Sequence, residues 1–217
     1  MALSFPYTVP QFADVIRMSS IVPRLVGEQQ VSGMSGGNLL VADLAPKRWE
    51  FEVTLITMES DVARGIQALI EALDESMNDF EMYDPSAAYP IADRDGSVLG
   101  SSAVKINTLN GNNKELTLKD LPPAYVLTGG DLLHFDFGSP ANRALHRVVV
   151  GGTANGSGVS PSLEVRPHIL PGAAANAAVT LIKPAARVKM IPNSFSPGVR
   201  KQHITTGMGF KCRQVIL

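Results

Sequence analysis

Residues 49–55, WEFEVTL, place Trp49, Phe51, Val53 and Leu55 on one side of an extended chain and Glu50, Glu52 and Thr54 on the other. A strand with that alternation covers a core with one face and meets polar surroundings with the other. The same short-run logic recurs downstream in VKINTL, ELTL, DLLHFDF, HRVVV, LEVRP and AVTLIKP, separated by turn chemistry such as Asn110-Gly111 and by the break Leu121-Pro122-Pro123. Only one stretch has a convincing helical period. There Thr57 can act as N-cap, Glu59 and Asp61 put acid in the first turn, and Val62, Ile66, Leu69, Ile70 and Leu73 form an apolar stripe. The chain is therefore expected to be mainly β, with one flanking helix.

The order of these segments suggests how they are divided. A chain of 217 residues can bury a real core as one domain or two small ones. After the helix, FEMY reads as a strand stopped by Asp84-Pro85, and IADRDGSVLGSS reads as a polar, flexible boundary. Beyond it, the evenly spaced strands predict a small β-barrel. Before it lies too little sheet to close a layer, with one strong strand and one helix. The C-terminal stretch from Arg187 offers a strand, a loop rich in Pro and Gly, and a terminal strand, but no core of its own. The expected division is a discontinuous first domain, residues 1–95 with 186–217, carrying an inserted barrel of residues 98–184.

Several stretches suggest chemistry and are better explained without it. The glycine-rich run between HRVVV and LEVRP lacks the helix and the Lys-Ser or Lys-Thr pair of a phosphate loop, so it reads as a long hairpin tip whose glycines turn the chain. GMSGG fits the G-x-S-x-G pattern around Ser35, but NLLVADLAP follows it where a helix is required. His134 and Asp136 share a strand face, expected to be solvated because Leu133, Phe135 and Phe137 fill the other. Asp93 and Asp95 in ADRDGS hint at a calcium loop, but the glycine comes too early and the bidentate Glu is missing, so a turn is expected.

His134, His146, His168 and His203 show no metal-ligand spacing. Asn155-Gly156-Ser157 is a formal glycosylation acceptor without a secretory signal ahead of it. Cys212, the single cysteine, reads as a small buried apolar side chain. No catalytic, cofactor-binding or metal-binding residue is assigned, and neither a cofactor nor membrane insertion is expected.

The net charge of −1 hides a polarity. Residues 59–84 carry eight acids and one Arg, whereas residues 165–217 carry Arg166, Lys183, Arg187, Lys189, Arg200, Lys201, Lys211 and Arg213 and no acid. The basic segment lacks the dense arginines or interleaved aromatics of a nucleic-acid platform. Complementary faces, meeting within one chain or between subunits, explain both segments.

In combination, FPYTVP, WEFEVTL, ALIEALDES, FEMYDPSAAYP, HRVVVGGTANGSG and the returning terminal strand resemble the distal tail proteins of long-tailed, siphovirus-type bacteriophages and of gene-transfer-agent-like particles. The resemblance covers most of the chain through motifs that are individually short. It implies a tail-tube-like β-sandwich with one flanking helix and an outward-facing inserted β-barrel. It also implies a hexameric ring in the virion, made in the host cytoplasm. The ring would sit at the tail tip between tail tube protein and baseplate hub protein, with DNA passing through its lumen without sequence-specific binding. The implied role is mechanical, not enzymatic. The alternative is a carbohydrate-binding or host-attachment module, against which stand the few aromatics and the burial expected for Trp49.

Overall fold

The computed structural model describes residues 3–33, 36–139 and 141–216. Strands β1 (Met18–Gly33), β2 (Leu39–Leu55) and β3 (Met58–Glu59) precede helix α1 (Ser60–Glu71), and β4 (Phe80–Tyr83) follows it. Next come β5 (Lys105–Leu109), β6 (Glu115–Lys119), β7 (Val126–Leu127), β8 (Leu132–Phe137), β9 (Asn142–Val150), β10 (Gly152–Thr153), β11 (Leu163–Arg166) and β12 (Val179–Thr180). The chain ends with β13 (Ala185–Met190), β14 (Ser196–Lys201) and β15 (Ile204–Gln214). The protein is mainly β with a single α-helix among the described residues, and no described helix is long and apolar enough to cross a membrane.

Two sheets carry the architecture. The first runs β1-β2-β15-β13-β4, with β3 and β14 also paired to β15. Sequence-distant segments meet in it: Phe51 lies opposite Cys212, and Ala185 opposite Tyr83. The second runs β12-β8-β9-β11-β6-β5. Its two ends nearly meet, because Ile106 donates its N–H to the Ala177 carbonyl at 2.9 Å and Val179 donates to the Val104 carbonyl at 2.9 Å. That almost closes a barrel, which removes most of the free strand edge.

Each sheet has its own core. Trp49, Phe51, Val53 and Leu55 are all buried, as their alternation requires, together with Phe12, Ile66, Ile70, Phe80, Val188 and Phe210. The rings of Phe12, Phe80 and Phe210 pack at 4.6–6.1 Å between centroids, tilted or edge-on. The second core gathers Leu116, Leu118, Phe135, Val148, Leu163 and Val165 inside the barrel. Strand β9 serves both, since Ala144 and Val148 face the barrel core while Leu145 belongs to the first. At that seam the Trp49 indole N–H donates to the Leu145 carbonyl at 2.8 Å, and the Arg147 guanidinium sits 4.8 Å over the indole ring.

Several local expectations change. Thr57 does not cap the helix: Glu59 is the N-cap and makes no side-chain cap hydrogen bond. The helix start is held by strand pairing, with Met58 and Glu59 opposite Thr205 and Ile204 and the Ser60 N–H donating to the His203 carbonyl at 2.8 Å. The buried stripe is Ala63, Ile66, Ile70 and Leu73, with Leu73 just beyond the helix, and Val62 faces outward. The stretch IADRDGSVLGSS is polar but not loose. Asp93, only 3% exposed, accepts hydrogen bonds from the N–H groups of Val98 and Leu99 and from the Tyr125 hydroxyl. The C-terminal loop rich in Pro and Gly contains a strand, β14, hairpinned onto β15.

Candidate functional site

The feature least explained by internal packing is the hairpin of β1 and β2. The two strands pair from Met18 opposite Leu55 out to Gly33 opposite Leu39. Strand β15 supports β2 only from Glu50 to Thr54, so the outer part of the hairpin has no partner but itself among the described residues. Register shifts around Glu28, facing the segment that holds Pro46, mark where it leaves the sheet. The inner part is tied down by charge: Glu52 meets Arg24 at 3.5 Å and Lys211 at 3.4 Å, and Arg213 meets Glu50 at 3.4 Å and Glu28 at 3.3 Å.

The outer part is chemically different. Val31, Leu39, Leu40, Val41 and Leu44 are between 54% and 69% exposed. In the whole stretch 29–44 the only charged residue is Asp43, whose carboxylate accepts from Gln29 at 2.6 Å. A lone two-stranded ribbon is marginal in water, and free edges are normally guarded by lysine, proline or a covering element. This one carries bare apolar side chains and two unpaired edges, so it can add strands to, or bury apolar surface against, a further polypeptide.

The charge polarity is partly resolved inside the chain. Asp79 binds Arg187 at 2.7 Å and Lys189 at 3.5 Å, and the Arg143 guanidinium bridges Glu81 at 2.6 Å and Asp136 at 2.9 Å. Lys183 meets Asp14 at 2.9 Å, outside the acidic segment. Among the described residues Glu59, Asp74 and Glu75 form no salt bridge, and neither does Lys201. The strands neutralise one another within the subunit, while the helix end stays acidic.

The residues singled out in the sequence do not assemble into a reaction centre. Ser35 lies outside the described residues. The face holding His134 is not solvated, because the barrel wall packs there against β13. His134 is 9% exposed and its Nδ1 accepts the Ala185 N–H at 3.0 Å. Burial pushes its pKa down to about 4, and the nearby Arg143 acts in the same direction. Asp136 lies on the same strand face but is exposed and held by Arg143, whose hydrogen bond keeps the carboxyl below its ordinary range.

His146 is buried, stacked on Phe135 at 5.1 Å, with Nδ1 2.9 Å from the Pro167 carbonyl oxygen; His168 and His203 are exposed. Asp95 accepts from Ser97 N–H in a turn. Among the described residues no three His, Cys, Asp or Glu side chains converge as a metal site would require. Cys212 is fully buried, and burial raises its thiol pKa.

The glycine-rich loop joins antiparallel β9 and β11 without any helix. Its glycines do more than turn the chain. A Cβ on Gly158, at φ +71°, would stand 2.1 Å from the Leu121 carbonyl oxygen, and one on Gly151 would stand 2.1 Å from that of Leu127. Asn155 Oδ1 accepts from the N–H groups of Ser157 and Val159 at 3.0 Å, so this loop is laid against the barrel and fastened. The sequence signal missed was the hairpin: MSSIVPRLVGEQQVSG has no strict alternation because most of its residues are exposed on both faces. No protein-family model and no curated protein matches this chain.

Proposed function

We propose that this chain is a structural subunit of the tail tip of a long-tailed bacteriophage or gene-transfer-agent-like particle. In this reading it forms a hexameric ring that joins the tail tube protein to the baseplate hub protein and continues the DNA channel, without enzymatic chemistry. Its first domain would be residues 1–95 with 186–217, and residues 98–184 would be an outward-facing insertion. The two separate cores support that division, and the order of sequence motifs supports the family reading.

The observation that carries the assembly reading is the bare outer hairpin. A ring subunit makes head-to-tail contacts through two different patches. The near-chargeless ribbon of residues 29–44 supplies one patch with free edges, and the acidic helix end, where Asp74 and Glu75 make no salt bridge among the described residues, supplies one of different chemistry. Covering five large apolar side chains at about 1 kcal/mol or more each would favour permanent association over a monomer that leaves them in water.

The test combines sedimentation with negative-stain electron microscopy of concentrated protein. Closed rings with a central hole are expected. The paired substitution Leu40→Lys and Val41→Lys should leave a folded subunit, by circular dichroism, that no longer closes rings. A wild-type chain that stays monomeric at every concentration and salt level would overturn the reading.

A further inference from the structure

The barrel turns one outer face toward the first sheet. Leu132, His134 and Asp136 of β8 build that face beside Arg147, Leu145 and Arg143 of β9, paired in that order. Leu132 and Leu145 complete the first core, and Arg147 covers Trp49. Polar hooks fasten the rest. Gln214, 2% exposed, accepts the Trp49 N–H at 3.3 Å and donates to the Arg143 carbonyl at 3.0 Å. Both chain connections between sheet and barrel are held at the β8 side. Asp131, just before β8, accepts the Ile91 N–H of the incoming connection at 2.8 Å, and His134 accepts the Ala185 N–H at 3.0 Å, where the chain returns to the first sheet.

His134 differs from the other hooks because its acceptor is a ring nitrogen. The Ala185 N–H can only donate, so Nδ1 carries the lone pair and the ring proton sits on Nε2. A second proton goes to that Nδ1 and leaves N–H facing N–H. Turning the imidazolium over brings no relief, since both of its nitrogens are donors. The charged groups around it offer a cation little. Arg143 opposes it; Asp136 favours it but is exposed and already held by Arg143, which also binds Glu81 on β4. On β13 Arg187 is bound to Asp79, and Lys183 at the return connection is bound to Asp14. His146 behaves otherwise: its Nδ1 meets the Pro167 carbonyl and therefore donates, a bond that survives protonation, and its ring stacks on Phe135 of the barrel core.

We propose that His134 is an acid-released latch between barrel and first sheet: protonating its ring frees Ala185, and the barrel face lifts from Trp49 and β13 while both cores stay folded. The docked ring has its pKa lowered to about 4 by burial, whereas a ring opened to water returns to 6.5, so docking is favoured at neutral pH and weakens as pH falls through that window. The opening stays local because each side keeps its own packing. Leu116, Phe135 and Val165 remain inside the barrel, and Phe51, Ile70 and Phe210 remain under the first sheet. The latch needs no ring and stands whether or not the chain assembles.

The test is hydrogen exchange of the full chain, read by NMR from pH 7 to pH 5 and corrected for the intrinsic pH dependence of exchange. Two protons report the seam: the Ala185 amide, and the Trp49 indole N–H, whose acceptor Leu145 lies across it. Both should be less protected than the Val165 amide of the barrel core, which exchanges only when the barrel itself unfolds. Their protection should fall about tenfold or more from pH 7 to pH 5, as one proton taken up by the opened ring requires. In His134→Asn an amide oxygen can accept the same N–H and does not titrate, so seam protection should stay constant with pH. On the wild-type chain alone, seam protons as protected as Val165, or a seam indifferent to pH, would overturn the proposal. So would a His134→Asn seam that still loses protection tenfold.

Discussion

Replacing Trp49 with Phe tests the seam between sheet and barrel with little change in shape. Trp49 is 1% exposed, stacks on Phe51 at 6.3 Å, donates its indole N–H to the Leu145 carbonyl at 2.8 Å and lies under the Arg147 guanidinium. The substitution keeps an aromatic ring and removes a buried hydrogen bond, at about 1–2 kcal/mol. It also removes ring volume equivalent to roughly two methylene groups, adding about 1–2 kcal/mol with partial relaxation. The smaller ring further weakens the cation–π contact by about 0.5 kcal/mol.

The expected destabilisation is about 3 kcal/mol, read from urea midpoints by circular dichroism because the only tryptophan is gone. The loss should fall on both sheets together, since Leu145 belongs to a barrel strand and to the first core. A loss below about 1 kcal/mol, or a transition in which the barrel unfolds at its wild-type midpoint, would refute the idea that this indole couples them.

Three further outcomes follow from other residues. Phe51→Asp puts a charge at a site 1% exposed and should abolish folding, whereas Glu52→Lys, which loses only half-exposed pairs with Arg24 and Lys211, should cost about 1 kcal/mol or less; circular dichroism melts check both. Folded His134 and His146 have pKa values lowered to about 4 from 6.5, so the unfolded chain binds more protons between those values and stability must fall as pH drops through that window. Each should contribute a loss of about 2 kcal/mol between roughly pH 7 and pH 5, and urea midpoints that do not move over that range would contradict the buried, neutral state. Deleting residues 98–184 with a Gly-Ser bridge should leave a folded remnant by circular dichroism, but one weakened by about 3 kcal/mol or more, because Leu132 and Leu145 leave the first core and Trp49 loses its acceptor. A stable 1–95 fragment with a cooperative melt would instead show that the C-terminal strands are not needed to complete the sheet.

The sequence by itself determined what depends on neighbours along the chain. Alternation at residues 49–55 specified which side chains of β2 are buried, because side-chain direction in a strand has a period of two whatever the partner. The Asn110-Gly111 turn, the Asp84-Pro85 stop and the single helical stripe were legible for the same reason. Tertiary structure decided what depends on distant partners. Backbone N–H and C=O groups are alike in every residue, so nothing local announces that Met58 and Glu59 will pair with β15 and start the helix without a side-chain cap. Nor does a strand's polar face reveal whether it meets water: His134 lost its solvated face only because β13 packs against β8 and supplies the Ala185 N–H. The outer hairpin escaped for the opposite reason. With both faces bare it shows no burial period, because its apolar residues stand exposed on the subunit instead of facing a core.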